Sequence, residues 1–540
     1  MAIPFSPITV STQATPRCSI APRRTVNNVS GSIDCPARSR YGISISCSGT
    51  ETGEFALFLK RRQSVPEARK CRPRDTSQTS PFVATTKRPL NHYLGWLLLF
   101  VLINGLVLNP LLCLFNSIFI DHHDLPSASA VRQVIASNLS DLNPITLVGD
   151  FDNDSLGTML PALKSLPANQ RISPYNAVFF HDNLKFQYPL TSLLPLFILQ
   201  RLGVNDDDLS TIFNAECCIA FAGIILCSIL IAMRLIQGSR STMSRWSGGP
   251  QVSITVIAAC FGFYPITHGL YLGQIQTILT FGFTAAFYCW ISGREKASGA
   301  VLGVMALVKP QYALFLLWAA LRKRFGAFAT CIAVIVTGAL VSCWVFGFHN
   351  NMDYLKVLHF IGMRGESYAT NQSMNGLLNR LLFNGNDLIW NEKAFAPFNS
   401  IVFAGTVLSS LALVGISLFF PWGARRKSGA DDFACCLLVA TMASPVAWEH
   451  HYGILLPIFI WLCFGKSASR LPRWRVLLTV LAYILTSDNI KLFDSLAFTP
   501  VLNIFQSYLY FGALLVMILL LKSSDETGRS LRALQSTEDI

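Results

Sequence analysis

Charge is scarce in this 540-residue chain: 14% of its residues are Asp, Glu, Lys or Arg, whereas 52% are hydrophobic and the mean hydropathy is +0.44. That balance excludes a water-soluble globule. Acidic residues are the scarcer sign, 30 against 43 Lys and Arg, giving a net charge of +13. The excess does not form a nucleic-acid surface, because it is dispersed over the first 90 residues and over short links such as "RLIQGSRSTMSRW", "GREK", "RKR", "GARRK" and "RLPRWR". No nucleic-acid partner is expected. The 15 cysteines show no metal-ligand spacing; Cys217-Cys218 and Cys435-Cys436 sit in apolar runs as small packing residues. An internal repeat of the kind that marks many secondary transporters is also lacking. The first 90 residues are rich in Ser, Thr, Pro and Arg with no apolar signal-like core, so a disordered basic cytoplasmic tail without a cleavable signal is expected there.

What the chain has is apolar length. A helix crossing the hydrocarbon layer needs about 20 apolar residues, and such runs lie near 93–119, 209–236, 252–270, 273–292, 326–347, 398–421, 431–447, 451–465, 475–487 and 499–521. Two shorter runs, 189–203 and 299–321, are ambiguous. The second holds "LVKPQY", where Pro310 removes a helix hydrogen bond and Lys309 places a charge mid-run. Broken backbone at that depth is tolerated only where it faces protein or a wet cavity. The expected fold class is an all-α polytopic membrane protein of about ten to twelve transmembrane helices over 91–522, with a short cytoplasmic tail at 523–540.

Basic links mark the cytoplasmic face, which puts the N-terminus inside and the aspartate-rich segment 121–188 outside as a large first outer loop. The same assignment makes 299–321 a re-entrant hairpin; reading both short runs as full spans leaves some basic links external. On the outer face five polar motifs then converge: "VGDFDNDSLG", "SPYNAVFFHDNLKFQYPLTSLLP", "THGLYLGQIQ", "GESYATNQSMNGLLNRLL" and "SPVAWEHH". Ionisable groups at the edge of an apolar layer are costly and point to function.

The run from Gly273 to Arg324, "GQIQTILTFGFTAAFYCWISGREKASGAVLGVMALVKPQYALFLLWAALRKR", closely resembles the core signature of glycosyltransferase family 87. "FQYP" (Phe186–Pro189), "NQS" (Asn371–Ser373) and "SPVAWEHH" (Ser444–His451) are similar to the family's other motifs and follow its order, so the resemblance covers about 150 to 465. It implies a type C glycosyltransferase bundle in the plasma membrane. It further implies a polyprenyl-phosphate-linked sugar donor, usually mannose, and transfer on the outer face to a glycolipid or glycan, without metal or other cofactor. The chain departs from the pattern where Leu190 replaces a second proline, where Glu449 precedes the paired histidines, and where "GDFDN" stands for an Asp-Leu-x-x-Tyr-like run.

Chemistry gives the residues roles. Transfer from a lipid phosphate needs a carboxylate to take the acceptor's proton while the anomeric carbon gains oxocarbenium character, and one carboxylate suffices for inversion. Asp150 is the first choice for that base and Asp152 the second; any one loop aspartate also has the simple alternative of a solvated surface group. The leaving phosphate requires cations or hydrogen-bond donors, for which Lys309, His450 and His451 are candidates. An internal salt bridge from Lys309 to Glu449 and interfacial histidines bonded to carbonyls are the structural alternatives. Tyr188, Gln274, Asn371, Gln372, Trp448 and Glu449 are candidate substrate contacts, with helix capping for Gln274 and an aromatic belt for Tyr188 and Trp448 as competing roles. A transporter of a lipid-linked or small polar substrate uses the same residue types and is the alternative function; a non-catalytic binding subunit is a third.

Overall fold

The computed structural model describes residues 90–108, 111, 153–168, 173–239, 249–420, 429–465, 472–490, 493, 494, 497, 499 and 501–522. The expected tails, and Asp150 and Asp152 of the outer loop, lie outside the described residues. Among the described residues the chain is all-α and contains no strand, only an isolated antiparallel bridge between Asn371 and Trp448. It is an all-α polytopic membrane protein.

Five helices open the fold: α1 (Leu90–Ile103), α2 (Asp154–Ala168), α3 (Leu194–Arg201), α4 (Asp206–Ser239) and α5 (Gly249–Phe261). α4 begins where the sequence says a helix should: Asn205 accepts a hydrogen bond from the Asp208 N–H at 2.8 Å, and Asp206, Asp207 and Asp208 fill the first turn, where carboxylates favour the helix dipole. The central group is α6 (Tyr264–Tyr271), α7 (Ile275–Ile291), α8 (Glu295–Val308), α9 (Leu314–Leu321) and α10 (Phe325–Phe346). Short α11 (Phe348–Met352), α12 (Tyr354–Arg364) and α13 (Met374–Leu381) follow, and then α14 (Ser400–Phe419), α15 (Ala430–Met442), α16 (Leu455–Phe464), α17 (Arg473–Ser487) and α18 (Leu502–Lys522).

Four of these are long and apolar enough to cross a membrane, α4, α10, α14 and α18, and the pair α5/α6, bent by 58°, makes a fifth if it is one span. The other apolar runs are divided. Run 299–321 breaks at Lys309, whose extended backbone (φ −131°, ψ 99°) is what a following proline demands, and Pro310 then opens a tight turn into α9. Run 189–203 opens at Pro189, itself extended (φ −67°, ψ 154°), which caps the turn Leu190–Leu193 ahead of α3. The 17-residue α7 covers about 25 Å at 1.5 Å per residue, just short of a full crossing.

Packing follows from small residues. α8 lies against α7 on one side and α10 on the other. A Cβ on Gly299 would collide with the Ala327 carbonyl, and one on Gly303 would sit 2.8 Å from the Cys331 carbonyl, so this Gly-x-x-x-Gly pair is what lets α10 approach. Gly273 plays the other glycine role. Its positive φ of 58° ends α6, with the Gln274 N–H returning to the Gly269 carbonyl at 3.0 Å, and α7 starts two residues later.

A candidate active-site cavity

The helix breaks converge on a cavity of about 930 Å³. Lys309 enters it from the α8/α9 break. Its Nζ lies 2.8 Å from Gln276 Oε1 and 2.6 Å from His451 Nε2. Among the described residues no carboxylate lies within ion-pair distance of Lys309, so the Lys309–Glu449 bridge does not form. Glu449 instead accepts from the Tyr508 hydroxyl at 3.2 Å.

The turn Glu449–Ile454 that carries the two histidines is tight, with the Trp448 N–H donating to His451 Nδ1 at 3.2 Å. His450 and His451 are both 6% exposed and line the cavity, their rings nearly perpendicular at 4.8 Å. His450 Nε2 is buried with no hydrogen-bond partner among the described residues. His268 lines the same wall, stacked on Tyr264, with its ring 6.4 Å from that of His450.

A second wall comes from the start of α2. Asp154 lines the cavity, its N–H donating to the Leu272 carbonyl at 3.0 Å and its carboxylate accepting from the Gln274 amide. Gln274 Oε1 in turn accepts from Ser155 Oγ at 2.8 Å, and Ser155 Oγ lies 3.3 Å from the Tyr188 hydroxyl. Asp154, Gln274 and Tyr188, from three separate motifs, thus form one hydrogen-bonded surface. A third flank is apolar: Val308, Leu314, Ile361 and Val414, with Leu358 and Leu411 42% and 64% exposed at its edge.

Asn371 and Gln372 do not line the cavity. Both are fully buried behind its wall, where their hydrogen-bonding capacity goes into the loops. Asn371 donates to the Glu366 and Pro445 carbonyls and accepts from the Ala447 N–H; Gln372 donates to the Ala369 and Gln506 carbonyls and accepts from the Tyr510 N–H. The "NQS" motif therefore stitches 366–373 to 445–449, which fixes the direction of the Trp448–His451 turn.

Lys185, just before "FQYP", is a cavity residue that the motif itself does not announce. Its ammonium pairs with Glu366 at 2.7 Å, donates to the Asn391 carbonyl at 2.8 Å and sits 3.8 Å from the Trp390 ring centroid; both side chains of the pair are under 10% exposed. Burial lowers Lys185 and raises Glu366 from their ordinary values, and each partner opposes the other's shift. Asp154, His268, Tyr368 and Trp390 join the lining as well. The nearest sequence signals for them are the runs "GDFDND", "THGLY" and "GESY"; nothing local marks Trp390.

With this geometry in view the relatives are informative. Residues 186–445 match the family model of glycosyltransferase family 87. The match starts at "FQYP" and takes in the Gly273–Arg324 run and "NQS"; Asp150–Asp154 lie before it and Trp448–His451 just after it, a narrower extent than the motifs alone suggest. The chain is 26% identical over 254 residues to a polyprenol-phosphate-mannose-dependent alpha-(1-2)-phosphatidylinositol pentamannoside mannosyltransferase of Mycobacterium tuberculosis, covering 46% of this chain and 53% of that one. A protein of the same description from Mycolicibacterium smegmatis is 28% identical over 205 residues, 36% of this chain and 44% of its own. A third, the Mycobacterium tuberculosis polyprenol-phosphate-mannose-dependent alpha-(1-2)-phosphatidylinositol mannoside mannosyltransferase, is 26% identical over 296 residues, 52% and 63% of the two chains. The chain spans about half the length of the curated relatives it matches. No solved structure matches it.

Proposed function

We propose that the protein is a multi-pass membrane hexosyltransferase that moves mannose from a polyprenyl-phosphate donor to a glycolipid or glycan acceptor on the outer face of the plasma membrane, with inversion at the anomeric carbon. The observation that carries this reading is the composition of the cavity. One flank offers Lys309 with His450 and His451 and no acidic neighbour in pairing range among the described residues, which suits a phosphate. A second flank is apolar and open at Leu358 and Leu411, which suits a polyprenyl chain. The third, Asp154 with Gln274 and Tyr188, suits sugar hydroxyls.

In the proposed step an acceptor hydroxyl oxygen forms a bond to the anomeric carbon while the bond from that carbon to the donor phosphate oxygen breaks. The hydroxyl proton passes to a carboxylate, and the leaving polyprenyl phosphate departs toward Lys309 and the histidine pair. Asp150 is the proposed base, with Asp152 as its alternative. They precede the cavity residue Asp154 by four and two positions, so at about 3.6 Å of chain per residue either is within reach of this wall. Tyr188, Gln274, Trp448 and Glu449 are proposed to contact sugar. A soluble charged cofactor has no role in this scheme, since the phosphate leaving group is part of the donor.

The test is direct. Purified protein is incubated with polyprenyl-phosphate mannose and a panel of glycolipid acceptors including phosphatidylinositol mannosides. Mannose should move to an acceptor with the opposite anomeric configuration. Absence of both sugar release and transfer, with chemically unchanged substrate crossing proteoliposome membranes, would establish a transporter instead.

A further inference from the structure

We propose that the part of the cavity bounded by Tyr368, Trp390 and Trp448 is a binding subsite for the uncharged sugar headgroup of the acceptor. The assignment rests on the transferase reading and adds to it which part of the cavity takes which substrate. The three rings form one cluster: Tyr368 and Trp390 centroids lie 5.6 Å apart and Trp390 and Trp448 5.0 Å apart, and all three residues line the cavity. Trp390 remains 41% exposed although Lys185 is held against its ring. An aromatic group merely anchoring a membrane helix looks different here: Trp344, near the end of α10, is 85% exposed on a helix able to span.

Charge decides the ligand class. The cation at this part of the cavity, Lys185, is neutralised by Glu366 and further occupied by the Asn391 carbonyl, leaving it little attraction for an anion. Lys309 lacks such a carboxylate among the described residues. A phosphate therefore favours the Lys309 flank, while the rings, in a cavity that the polar side chains of Gln187 and Thr370 also line, favour a ligand with apolar C–H faces and hydroxyl edges, as in a pyranose. The two parts adjoin through one tight turn, since Trp448 donates its N–H to His451. An acceptor sugar on the rings is thereby placed next to the donor's leaving group.

Trp390→Ala should raise the acceptor KM about tenfold, in line with the loss of an aromatic contact in a partly desolvated site, and leave the donor KM within about twofold. Trp390→Phe should recover most of the loss, and Trp344→Ala should change neither constant. Saturation-transfer NMR with methyl α-mannoside on the purified full chain supplies a readout independent of turnover: signal in the wild type, loss in Trp390→Ala. If Trp390→Ala does not fold, Trp390→Leu, which keeps apolar volume without a ring face, carries the same expectation. An equal rise in donor KM, or unchanged acceptor KM and mannoside signal, overturns the subsite while leaving the transferase reading intact. No transfer from any donor, with a mannoside signal that depends on Trp390, overturns the transferase reading and keeps the sugar site.

Discussion

Replacing Glu366 by Gln should loosen the loops that frame the cavity, and the size of the effect follows from its surroundings. Lys185 and Glu366 are 6% and 7% exposed, so removing the carboxylate's charge leaves an ammonium in a poorly hydrated site. Breaking one side of such a buried pair costs about 3–5 kcal/mol. Lys185 keeps the Asn391 carbonyl and the Trp390 and Phe395 rings, at 3.8 and 4.6 Å, and these offset part of the loss. With about 1 kcal/mol for the ring contacts, the remaining penalty is about 2–4 kcal/mol. Because the pair joins 182–189 to 365–373, the penalty should appear as local opening of those segments. At about 1.4 kcal/mol per factor of ten, that is on the order of 10²-fold faster amide hydrogen exchange in peptides covering them. The double variant Lys185→Met/Glu366→Leu removes both charges and should exchange more slowly than the single variant, because no orphaned cation remains. Unchanged exchange in Glu366→Gln, or a double variant worse than either single, would show that the pair does not hold these loops together.

Four other outcomes are expected. Asp150→Asn keeps size but cannot take the proton, so turnover should fall by roughly 10²–10⁴ with little change in donor affinity; near-normal turnover there with a dead Asp152→Asn moves the base two residues along. Lys309→Met should raise the donor KM, and a donor KM equal to that of the wild type would remove Lys309 from the phosphate site. EDTA should leave transfer intact, since among the described residues no three His, Cys, Asp or Glu side chains gather in metal-binding geometry; loss of activity restored by magnesium or manganese would recast the outer aspartates as ligands. Cysteines placed near Asn351 and near Asp488, whose own side chain is buried, should react with an impermeant thiol reagent added outside intact cells and one at Arg426 should not, the reverse pattern refuting the orientation.

The sequence by itself determined the solvent, the class and much of the cavity. A chain so apolar, with basic links and long apolar runs, has to satisfy its backbone internally, and helices are the available way. Local chemistry was equally legible at the breaks. Pro310 forces an extended Lys309 before it and Gly273 supplies the positive φ that separates α6 from α7, so Lys309 and Gln274 stand where helices stop and polar groups emerge. Tertiary structure alone decided which of these groups face substrate space. Asn371 and Gln372 look like binding residues as isolated amides, yet pairing with the 445–449 loop and with α18 consumes their donors and acceptors, and that pairing crosses more than 70 positions of chain. Lys185 looks like a solvated loop lysine until Glu366, 181 residues away, closes on it. Where the apolar runs break was hidden from hydropathy for a related reason: it counts apolar residues and does not show where the hydrogen-bond ladder is interrupted, and residues that line the cavity, Lys309 and Gln274 among them, lie at such interruptions.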